Sequence, residues 1–159
     1  MKKSTFVILL LSIFSVVPAF SQLYYPASID EALKEDAHSV IRHEEVLFKV
    51  KSTSEGTYHF KQIITILNKH SNDNILYITY DKDSRVTEIK ATLYNNFGQK
   101  VRKIKASEVK EYSAVQDFSI YQDDRFKYLE VKHGSFPYTV EFEYEMNLKG
   151  MSFINFKDW

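Results

Sequence analysis

The densest group of potentially reactive side chains is Asp123-Asp124-Arg125, set beside Phe126 and Tyr128. Two carboxylates with a guanidinium partner in a loop would suit an enzyme that works through acids. The plainer reading is a turn, with the aspartates capping backbone N–H groups and Arg125 pairing across a sheet. Glu44 and Glu45 form a second acidic pair, next to His43. On an alternating strand His43 and Glu45 share a face, but a metal there would need further ligands from elsewhere. The other histidines, His38, His59, His70 and His133, fall at neither the i, i+2 strand spacing nor the i, i+4 helix spacing of a metal site. Asp81 and Asp83, with Asn72, Asp73 and Asn74, have neither the central glycine nor the terminal glutamate of a calcium loop.

Other chemistries lack their residues. Cysteine is absent, which removes thiol nucleophiles, cysteine zinc sites and iron–sulfur clusters from this chain. The four glycines are dispersed, at positions 56, 98, 134 and 150, so no phosphate-binding loop exists, nor a G-x-S-x-G elbow. No catalytic, cofactor-binding or metal residues are therefore assigned, and Asp123, Asp124 and Arg125 stand as the one weak candidate cluster. The expectation is a chain that is not itself an enzyme. Tyr24-Tyr25 and the strand aromatics could offer a sugar-stacking platform, although such residues more often fill a core.

The elements that would position these residues begin after a leader. Lys2 and Lys3 precede an apolar run from Phe6 to Val17, and Ala19-Phe20-Ser21 places small residues where a signal peptidase reads. The run has 12 residues, whereas a bilayer span takes about 20. A signal peptide over 1–21 and a single domain over 22–159 are expected, in an exported protein, periplasmic or extracellular. No membrane span should remain after cleavage. Losing Lys2 and Lys3 leaves 19 basic against 21 acidic residues, too balanced for a nucleic-acid binder. The local cluster Lys100, Arg102, Lys103, Lys105, flanked by Glu108 and Glu111, reads as a solvated strand edge.

One short helix is expected at about Ile29–Ala37, with Ser28 and Glu31 at capping-box spacing. The period then becomes two. Val46, Phe48 and Val50 alternate with polar neighbours; Ile63, Ile64, Ile66 and Leu67 make the next strand apolar on both faces, as a central strand would be. Ile75–Tyr80 is a short strand, Ile89, Ala91 and Leu93 alternate, and Asn95-Asn96-Phe97-Gly98 signals a hairpin. Ala106 to Gln122 has no clean period and reads as a short helix or irregular crossing, then a brief strand. After the turn His133–Pro137, six apolar residues from Tyr138 to Leu148 alternate with polar ones, giving a strand with one face in a core and the other in water. About seven strands with short turns predict a mainly β, antiparallel, β-sandwich-like domain. The apolar ending Met151–Trp159 suggests that the chain is the N-terminal part of something longer.

The ordered segments Ala37–Glu45, Ile63–Lys69, Tyr80-Asp81-Lys82, Leu93-Tyr94 with Gly98, Ser113-Ala114-Val115, Asp123-Asp124-Arg125 and Phe136–Glu145 carry a resemblance. The chain resembles the domain of unknown function that lies N-terminal to transglutaminase-like domains in secreted Bacteroidetes-type proteins. That resemblance implies a β-sandwich-like module leading a larger protein, with a papain-like Cys-His-Asp domain downstream. This sequence stops short of such a domain and has no cysteine, so the catalytic residues of that domain have no counterparts here. A non-catalytic accessory module is the resulting expectation, with a stand-alone peptide- or glycan-binding module as the alternative.

Overall fold

A computed structural model describes residues 23–113 and 125–150 of the chain. The expected leader, Asp123 and Asp124, most of the irregular stretch before them and the apolar ending lie outside the described residues. Among the described residues, eight strands form two antiparallel sheets. They are β1 (Ser39–Val50), β2 (Glu55–Ile66), β3 (Ile75–Tyr80), β4 (Ser84–Tyr94), β5 (Lys100–Lys103), β6 (Lys110–Ser113), β7 (Arg125–Glu130) and β8 (Tyr138–Lys149). The larger sheet has the order β1-β2-β8-β4-β5 and the smaller one β3-β7-β6. The mainly β, antiparallel expectation holds, and the layers pack as a sandwich.

The core lies between the layers. Ile64 and Ile66 of β2, Ala91 and Leu93 of β4, and Tyr138, Val140 and Phe142 of β8 meet Leu76, Ile78, Leu129 and Val131 from the smaller-sheet side. Alternation alone puts the even-numbered residues of β8 on this face. β2 is central, as its two apolar faces required: Ile63 and Thr65 are as buried on the outer face as Ile64 and Ile66 are on the inner.

Two expectations need correction. The residues from Ile29 to Ala37 do not form a helix; they hold one 3-10 turn, Glu31–Leu33, preceded by another at Pro26–Ser28. Ile29 is extended and buried, which takes the backbone out of helical phase. The cap is Asp30, whose side chain accepts from Ala32 N at 3.0 Å, rather than Ser28, whose hydroxyl donates to Tyr25 O. Second, β8 does not turn its whole outer face to water. Thr139 is fully buried there, its hydroxyl 2.9 Å from that of Thr65. The segment from Tyr24 to Ile29 lies along this end of the outer face, held on the β1 side by Arg42, which donates to Tyr25 O and Ser28 Oγ.

The predicted β4–β5 hairpin is present. Asn95 Oδ1 accepts from the N–H groups of Phe97 and Gln99, and Gly98 adopts a φ of 71°. A Cβ on Gly98 would also stand 3.2 Å from the backbone of Tyr24 and Tyr25, so the turn and the N-terminal segment pack backbone to backbone.

Candidate functional site

On the outer face of the larger sheet, β8 presents Glu141, Glu143 and Glu145 in a row. The register sets Lys61 of β2 and Lys90 of β4 opposite Glu143, and His59 opposite Glu145. The pairs from β2 are therefore diagonal and the one from β4 direct. Lys61 Nζ donates to Glu141 at 2.8 Å, while His59 Nε2 and Lys90 Nζ lie 3.2 and 3.6 Å from Glu143.

Glu141 is the hub of this face. Its side chain is 15% exposed, and besides Lys61 it accepts from Tyr24 Oη at 3.1 Å and Tyr94 Oη at 2.8 Å. The two tyrosine rings stack with centroids 4.0 Å apart. Burial by itself would raise the Glu141 pKa, but the hydrogen bonds from Lys61, Tyr94 and Tyr24 outweigh it and hold the carboxyl below its ordinary range. Burial, and then the bond to Glu141, push the Tyr94 phenol well up. A carboxylate with a depressed pKa and three donors is a poor general base, and a phenol with a raised pKa is a poor nucleophile. The cluster is suited to clamping the N-terminal segment onto the sheet.

Beside the hub, towards the β5 edge, lies a cleft of about 340 Å³ lined in part by Lys90, Thr92, Tyr94, Lys100, Lys103 and Glu141. A second hollow of about 580 Å³, with Tyr25, Pro26, Phe97 and Pro137 in its walls, sits between the N-terminal segment and the β4–β5 turn. The smaller sheet presents a different outer face. Tyr77, Phe126 and Tyr112, on three neighbouring strands, stack at 4.6 and 5.2 Å, with Tyr77 and Tyr112 about half exposed.

Of the candidate cluster, Arg125 pairs across the sheet with Glu111 of β6, which also takes Lys127 at 2.5 Å. Asp123 and Asp124 lie outside the described residues. His43 and Glu45 share a face, 3.6 Å apart. His38 and His70 come together with ring centroids 5.6 Å apart, a pairing that spacing did not reveal. Among the described residues no group of three or more histidines and acids could hold a metal ion. Asp81 serves its own turn, accepting from Asp83 N and Ser84 Oγ. Also among the described residues, no helix is long and apolar enough to cross a membrane. Sequence reasoning missed Glu141, Lys61 and Tyr94. Their only signal was a glutamate on every second position of β8, and the register that gives each its partner is a tertiary property.

Fold and site together define an antiparallel β-sandwich module with a polar, internally paired sheet face. Residues 52–156 match the family described as a domain of unknown function with solved structure (DUF3857), and the chain belongs to that family. Its fold is similar to that of a crystal structure of a "putative protease" from Parabacteroides distasonis, at a TM-score of 0.60 and 14% identity. The likeness covers 70% of this chain and 23% of that one, so this chain matches about a quarter of the Parabacteroides protein's length. No curated protein matches the sequence.

Proposed function

We propose that this chain is a non-catalytic accessory module that positions or recruits substrate for a peptidase-like or transglutaminase-like domain on the same polypeptide. The observation that carries this reading is the coverage: the same sandwich recurs within a much larger protein that carries a protease description. The satisfied Glu141 cluster supports it, since that cluster fastens chain to sheet and leaves no activated group. In this reading the leader over 1–21 is removed after Ser21 and the protein works outside the cytoplasm, in the periplasm or beyond.

The test is the reading frame after Trp159. A continuing frame that encodes a Cys-His-Asp domain is expected, and deleting residues 22–159 from the longer protein should weaken turnover of polypeptide substrates while sparing small ones. A stop codon directly after Trp159 would overturn it. A stand-alone binding module is the second reading, favoured by the exposed Tyr77 and Tyr112 in the aromatic row. Binding of the isolated chain to a glycan array, lost in Tyr77→Ala, would select that reading instead.

A further inference from the structure

We propose that the outer edge of β5, with the cleft beside it, docks an acidic peptide in extended conformation, which adds to the larger sheet as a sixth strand. β5 ends the sheet order, and among the described residues nothing pairs with its outer side. Alternate N–H and C=O groups of such an edge are a ready template for another strand.

The side chains say which strand. Lys100 and Lys103 stand opposite Tyr94 and Thr92, and the register shifts between these two pairs. In a regular strand, residues three apart point to opposite faces. The irregularity at Val101 turns both lysines to the same face, over the cleft that both of them line.

Charge accounts for the preference. Among the described residues, each acid near the cleft already has a cation: Glu141 takes Lys61, Glu143 and Glu88 take Lys90, and Glu108 takes both guanidinium nitrogens of Arg102. Glu111, adjacent in sequence, is turned away to Lys127 and Arg125 on β7. Among the described residues, Lys100 and Lys103 are left over. A second copy of this chain would bring the same two ammonium groups against them, so β5 edges repel one another. A strand with a carboxylate at every second residue satisfies both the backbone and the lysines. This docking site is independent of whether a catalytic domain follows.

The experiment measures binding of a fluorescent Thr-Glu repeat octapeptide to the whole chain at low ionic strength. Three controls accompany it: the same peptide with Gln for Glu, a version N-methylated at alternate residues, and polygalacturonate. Reversing two exposed charges, Lys100→Glu with Lys103→Glu, should weaken the Thr-Glu peptide about tenfold or more. The Gln and N-methylated peptides should be weakened to a similar degree. Circular dichroism of the double variant, and Lys100→Gln with Lys103→Gln as a milder change, exclude unfolding as the cause. Absence of binding, or an equal loss from reversing Lys69 and Lys82 instead, would overturn the site. Equal binding of the N-methylated peptide or of polygalacturonate would overturn strand addition.

Discussion

The outer faces of the two sheets are built by opposite means. Along β8 of the larger sheet, charged side chains are brought under partial cover and paired with neighbours on β2 and β4, ending in Glu141 with three donors. On the smaller sheet, three aromatic rings stack across three strands, and the two outer ones, Tyr77 and Tyr112, keep about half of their surface in water. The first arrangement is specific and intolerant, because removing one member leaves buried partners unsatisfied. The second is additive and forgiving, since each ring loses only its own contacts. A face of the first kind holds a chain segment in one place, and a face of the second kind is free to meet something else.

Three measurements would break or sharpen this contrast. The largest effect should come from Phe142, which is 1% exposed between the layers and serves both sheets. Phe142→Ala should cost about 3–5 kcal/mol in urea unfolding, and a smaller loss would mean that the layers collapse onto the gap.

Next comes Glu141→Gln, expected to cost about 2–3 kcal/mol at neutral pH because Lys61 loses its counterion in a half-covered site. Its sign with pH follows from the depressed pKa. The folded value lies below the unfolded one, so the contribution is complete above the unfolded pKa of about 4.3 and is lost as pH falls through the folded value. The wild-type chain should therefore lose stability on acidification more steeply than Glu141→Gln. Parallel acid limbs for the two proteins would refute the hub.

The smallest effect should be that of Tyr77→Ala, about 0.5–1.5 kcal/mol from one exposed stack. A cost as large as that of Glu141→Gln would erase the distinction between the faces.

Much of the strand pattern was legible in the sequence. Alternation from Tyr138 to Leu148 and the doubly apolar Ile63–Leu67 each specified a strand and its inner residues, because a period of two has one geometric solution. The Asn95–Gly98 turn was legible for the same local reason: it needs one residue at positive φ, and Gly98 supplies it. The helix expected after Ser28 failed because Ile29 gains more by burial against the sheet than a single helical turn would return. The site was not legible at all. Glu141, Glu143 and Glu145 looked alike in sequence, and Glu141 was separated from the others only by the arrival of Lys61, Tyr94 and Tyr24, residues 47 to 117 positions away in the case of the tyrosines.

By itself, then, the sequence determined the β class, the central strands, the hairpin and the want of cysteine chemistry, because each of these depends on residue type or on neighbours within a few positions. Strand order, the register that pairs Lys61 with Glu141, the burial of Thr139 on the outer face and the two β5 lysines that have no acidic partner among the described residues were decided by tertiary structure. Each of those depends on which strands lie side by side, and alternation fixes only which way a side chain points, not what it meets.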